Sequence, residues 1–178
     1  MLANLIAFLW GFAEATLFFI VPDVALSIIS LKGSDVGLVA SLYALAGALT
    51  GGVIMFYWGK ADIEKVTRIL HRIPAIPAKD IQKVRESLQR SGVSAIFLGP
   101  LFGIPYKIYA SYAHLITSIF IFLLISIPAR WIRFVLTTLV TPYLFARLLP
   151  DAPYVFQVQI VTVSWLMFYL MYFAIKRK

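Results

Sequence analysis

The sequence contains no cysteine, which excludes a disulfide framework and any thiol site. Charge is scarce as well: 13% of residues are Asp, Glu, Lys or Arg, against 61% hydrophobic and 15% aromatic. With a mean hydropathy of +0.89, so much apolar surface cannot be buried in one soluble core of 178 residues. An integral membrane protein is expected. No Gly-rich phosphate loop, serine elbow or catalytic-triad pattern is present, so no enzyme activity is expected. His71 and His114 stand apart, and no two His, Asp or Glu have metal-ligand spacing, so neither a metal nor another cofactor is expected. The first apolar stretch lacks a basic segment before it, which argues against a cleavable leader.

What charge there is lies unevenly. Of sixteen Lys and Arg, eight (Lys60, Lys65, Arg68, Arg72, Lys79, Lys83, Arg85, Arg90) fall in residues 59–92, and three more close the chain at 176–178. Basic residues beside apolar spans follow the positive-inside pattern, so the net charge of +8 points to membrane orientation and anionic lipid heads rather than nucleic acid. Residues 59–92 and the tail 176–178 are therefore placed on the cytoplasmic side of a cell (inner) membrane.

Residues 36–58, 114–140 and 154–175 are long and apolar enough to cross a bilayer, which needs about 20 residues. Two further apolar stretches are interrupted. Residues 3–31 carry Gly11, Glu14, Pro22 and Asp23; residues 93–113 carry Gly99, Pro100, Gly103, Pro105 and Lys107. Proline removes a backbone donor and glycine loosens a helix, so both stretches read as broken or re-entrant helices, with a kinked ordinary span as the alternative. Two spans separate the basic loop from the basic tail, so residues 93–113 must enter and leave on one side, and the loop 141–153 is then external. For the first stretch, a hairpin with the N-terminus outside and a broken full crossing both remain open. Inside the basic loop, Ile63, Val66, Ile69, Leu70 and Ile73, then Ile81, Val84 and Leu88, follow helical spacing. They predict two amphipathic helices, lying on the membrane face or packed on the spans.

The order of interrupted stretch then clean span occurs twice, in opposite senses. The fold expected is thus a single all-α membrane domain over 1–178: half-repeats 1–58 and 93–140 of inverted topology, cytoplasmic amphipathic helices in 59–92, and an extra spanning helix at 154–175. Paired interrupted segments in inverted halves mark the midplane site of a transporter.

Glu14 and Asp23 are the only ionisable side chains between Leu2 and Leu31. A carboxylate in hydrocarbon costs several kcal/mol, roughly 2.5 to 3.5 on the most lenient scales, so each needs a partner, a cavity or a task such as proton exchange. Asp23 capping a helix is the plainer alternative. The candidate cations are Lys107, Arg130 and Arg133; the two arginines share a helix face at i, i+3 and could grip a phosphate. For Arg133, snorkelling to the outer interface beside Trp131 is the alternative. Gly47, Gly51 and Gly52 predict close helix packing.

These motifs resemble the DedA family, also called VTT or SNARE-associated membrane proteins: Glu14, Pro22-Asp23, a Gly-rich span closing on Tyr57-Trp58-Gly59-Lys60, a basic loop, and Phe97-Leu98-Gly99-Pro100. The likeness covers roughly residues 8–134 in order. Arginines usual beside that proline are absent, Phe97 and Gly103 standing in their places, so the chain looks like a small divergent member with a Gly-Ile-Pro-Tyr-Lys type motif. The resemblance implies transport of polyprenyl phosphate or phospholipid, often coupled to protons, with acidic residues in the re-entrant loops required.

The expectation is therefore a lipid transporter or flippase. Lys107, Arg130 and Arg133 would bind an anionic head group, Glu14 and Asp23 would take protons or balance charge, and Pro22, Gly99, Pro100, Gly103 and Pro105 would shape the re-entrant loops. Its partners are an anionic lipid and protons or cations, with room for a homo-oligomer. A proton- or cation-coupled exporter and a membrane scaffold are the alternatives.

Overall fold

A computed structural model describes residues 1–74 and 76–176. Arg177 and Lys178, part of the basic tail, lie outside the described residues. Every regular element among those described is helical: α1 (Leu2–Thr16), α2 (Asp23–Ser30), α3 (Ser34–Ala61), α4 (Ile63–Leu70), α5 (Ala78–Ser91), α6 (Ser94–Leu98), α7 (Tyr106–Tyr112), α8 (Ile119–Leu148) and α9 (Tyr154–Lys176), with short 3-10 turns at Gly99–Phe102 and Ala113–Leu115. Three of them, α3, α8 and α9, are long and apolar enough to cross a membrane.

Both interrupted stretches are broken helices. In the first, Gly11 stays inside α1, and the break falls at residues 17–22. Thr16 turns its hydroxyl back to the Phe12 and Ala13 carbonyls, 3.0 Å from each, and Pro22, which cannot donate, stands directly before α2. In the second, Gly103 takes φ +83°, a left-handed conformation natural to glycine, and Pro105 precedes α7.

Small residues let α3 act as the central post. A Cβ on Gly47 would strike the Phe8 carbonyl and Phe12, and one on Gly51 would meet Phe12, Ala15 and Thr16, so α1 lies against α3 and runs in the same direction. Gly52 faces Tyr106 and Gly59 faces the Ser111 carbonyl, so α7 also runs with α3. Gly37 faces Thr138 while Phe56 packs on Phe122 with ring centroids 5.5 Å apart, so α8 runs antiparallel to α3. Replacing Gly59 by Ala should cost about 1–3 kcal/mol, because the Ser111 backbone cannot swing aside as a side chain could. Thermal unfolding in detergent reads this; an unchanged midpoint would contradict the packing.

Helix α9 is held differently. Its Tyr154 ring lies 5.7 Å from Lys32 Nζ, its Trp165 donates to Ser27 Oγ at 3.0 Å, and its Tyr169 hydroxyl accepts from the Val21 N–H at 2.9 Å. It therefore runs antiparallel to α2, and its C-terminal end points toward the end of the bundle where α3 finishes. Its contact with α8 is marginal at most.

One expectation changes, and one open choice is decided. Residues 141–148 are not loop: α8 continues through Pro142 to Leu148, leaving only residues 149–153 as connection. Prolines are tolerated in long apolar helices, at the loss of one backbone bond. The basic helices α4 and α5 turn Val66, Leu70, Ile81, Val84 and Leu88 into the protein core, not outward. Thr67 hydrogen-bonds Tyr112 at 2.6 Å and Ser87 meets Tyr109 at 3.3 Å, which docks the pair on α7, while all eight basic residues of 59–92 stay exposed.

Candidate functional site

Each break leaves backbone groups without helical partners, and at membrane depth such groups must be satisfied by protein or water. In the first break, Trp10 Nε1 donates to the Ile20 carbonyl at 3.1 Å, Tyr169 takes the Val21 N–H, and Lys107 Nζ donates to the Phe18 carbonyl at 2.8 Å. Lys107 sits at the start of α7, just past the second break. The ammonium thus ties the two broken segments together.

Around this junction the anomalous charges meet. Glu14 is 5% exposed and accepts a hydrogen bond from Arg130 Nη2, with Lys107 Nζ 3.9 Å from its other oxygen. Lys107 and Arg130 are themselves 2% and 4% exposed. Aromatic faces fix the Arg130 guanidinium: Cζ lies 4.6 Å from the Tyr106 ring centroid and 5.1 Å from that of Phe134. Tyr106 is anchored in turn by its hydroxyl, which donates to Ser126 at 3.0 Å. One α8 turn away, Arg133 holds Asp23 through two hydrogen bonds, Nε to Oδ1 at 3.1 Å and Nη2 to Oδ2 at 2.7 Å. Thr137 adds a third to Oδ1 at 2.8 Å. Asp23 is thereby fully paired at 4% exposure, while the Arg133 side chain remains 36% exposed.

Glu14, Lys107, Arg130 and Arg133 line one half-open cavity of about 550 Å³, whose remaining walls are mostly apolar and aromatic. Asp23 does not line it. Glu14 faces the cavity, and Asp23 stands behind Arg133. Each arginine is paired directly with an acid. Burial explains this, since an isolated charge among apolar walls costs far more than a paired one. Arg133 turns toward Asp23, while Trp131 is 40% exposed.

Among residues shaping the second break, Gly99 leaves room for the Tyr109 ring, where a Cβ would collide, and Pro100, Gly103 and Pro105 line the cavity. No group of His, Asp and Glu among the described residues could hold a metal ion, and neither histidine reaches the cavity. Sequence reasoning missed Tyr106, Ser126, Thr137, Trp10 and Tyr169. Thr137 carried a usable signal, four residues past Arg133 on the same helix face. Tyr169 carried none, its partner lying 148 residues away. No family model, curated protein or solved structure matches this chain.

One feature of the chemistry remains. Three cations against two carboxylates leave a positive surplus at the cavity, and Arg130 Nε is buried with no hydrogen-bond partner among the described residues. A site so built has the charge and donors to suit an anion that can also take hydrogen bonds.

Proposed function

We propose that this chain is a membrane lipid transporter, moving a phosphate-headed lipid such as polyprenyl phosphate or a phospholipid through the charged cavity. The positive surplus at the cavity carries this reading, because a phosphate supplies the missing charge. A transported cation would find the surplus repulsive.

Architecture supports it further. Helix α1, with 15 residues, is about 22 Å long and α7, with 7, about 10 Å, each short of the roughly 30 Å hydrocarbon core. They form two re-entrant segments that enter from opposite faces and meet at Lys107 and Phe18. Each is followed by a spanning helix, α3 or α8, of opposite direction, which supports reading the halves as inverted repeats. The exposed basic residues of 59–92 support a cytoplasmic placement of that end in a cell membrane, and α9 ends on the same side. The likeness to the DedA family agrees with this arrangement.

In the cycle, a phosphate arriving at Arg130 and Lys107 competes with the Glu14 carboxylate for both cations. Protonation of Glu14 releases them to the lipid; loss of the proton expels it. Proteoliposomes holding tail-labelled phosphatidic acid, and separately the same label on diacylglycerol, test this with a membrane-impermeant quencher. The chain should speed exchange of the phosphate lipid only, and Lys107→Ala and Arg130→Ala should each slow it about tenfold or more, the loss of one charge-assisted hydrogen bond. Unchanged exchange in both variants, or an equal acceleration of diacylglycerol exchange by the chain, would overturn the assignment.

A further inference from the structure

The cavity does not end at the charged cluster. It continues between α8, at Leu144 and Phe145, and α9, at Val161 and Phe168, as an apolar slot. These two helices barely touch: α9 is hydrogen-bonded to α2 and the first break, and its most apolar stretch is almost wholly unburied. In water such a gap would close. In a bilayer it need not, since lipid tails are as apolar as the side chains that would otherwise meet, and no hydrophobic force draws the helices together.

Resting on the transport assignment above, we propose that the slot between α8 and α9 is a lateral portal. The hydrocarbon chain of the bound lipid lies in the slot and reaches the bilayer while its phosphate sits among Lys107, Arg130 and Arg133. Continuity decides the occupant: one cavity joins a phosphate-binding end to an apolar, membrane-facing end, which is the layout of an amphiphile. A soluble phosphate would need the first end alone. The portal also gives α9 a task, as a wall tied to the first break through Tyr169 and Val21 yet free along its α8 side.

The full chain in phosphatidylcholine vesicles, doped with phosphatidic acid carrying a mid-chain diazirine, tests this by photolabelling and mass spectrometry. Adducts at Leu144, Phe145, Val161 and Phe168 should exceed those at Leu166 and Leu170, which are 60% and 71% exposed and lie outside the cavity, by roughly tenfold. Arg133→Gln, or a diacylglycerol probe with the same chain, should reduce that ratio toward one. Even labelling by phosphatidic acid in the unaltered chain overturns the portal, whatever the transport assay gives. Slot labelling that ignores both the head group and Arg133→Gln supports the portal and counts against the phosphate grip, which separates the two failures.

Discussion

Glu14→Ala should destabilise the protein by about 3–5 kcal/mol, the loss found when one partner of a buried ion pair is removed. The variant leaves Arg130 and Lys107, both buried, without their shared counter-charge. For a chain of this size the loss corresponds to a fall of roughly 10 °C in the unfolding midpoint, read in detergent by tryptophan fluorescence. A double variant sharpens the test. Glu14→Gln with Arg130→Met removes both charges, and the thioether can fill the gap between the Tyr106 and Phe134 rings. Its midpoint should recover in part: replacing both members of a buried pair by groups of similar shape is close to neutral, while Lys107 still lacks its counter-charge. Lipid exchange should be slowed at least as far as in Arg130→Ala. Recovery of stability without recovery of exchange separates a transport role from a packing role; recovery of both would reduce the pair to structure.

Asp23→Asn should act in the opposite direction on binding. Asp23 occupies two donors of Arg133 and does not line the cavity, so neutralising it releases the guanidinium toward the phosphate. Phosphatidic acid should then bind the detergent-solubilised chain roughly tenfold or more tightly, the worth of one charge-assisted hydrogen bond, and leave more slowly. Exchange in vesicles should fall despite the gain in affinity, since a transporter that holds its lipid too well cannot release it. Arg133→Gln should weaken binding by a similar factor with less effect on stability than Glu14→Ala, because its side chain is already 36% exposed. Equal affinities for the parent, Asp23→Asn and Arg133→Gln, measured by native mass spectrometry, would remove Arg133 from the site.

Much of this arrangement is visible in the chain itself. Three spanning helices follow from run length, both breaks from proline and glycine placed in apolar stretches, and α4 and α5 from a 3.6-residue period. Glu14 stands out because acids are costly in hydrocarbon, and the same rule singles out Lys107, Arg130 and Arg133. Where local rules misled, they did so locally: Pro142 looks like the end of a span, yet α8 carries it as one lost hydrogen bond.

Composition, spacing and the cost of charge in an apolar medium are properties of short windows, and they determined the membrane class, the breaks and the five charged residues worth attention. Which acid meets which cation is a different matter. Glu14 and Arg130 lie 116 residues apart, Asp23 and Arg133 110, and Lys107 reaches a carbonyl 89 residues away. Only the packing of α1 and α7 in the same direction along the glycines of α3, with α8 returning beside them, brings those groups within hydrogen-bond reach. That packing leaves Glu14 in the cavity, Asp23 behind Arg133, and a gap beside α9, because close helix approach is decided by facing surfaces that no single window of sequence contains.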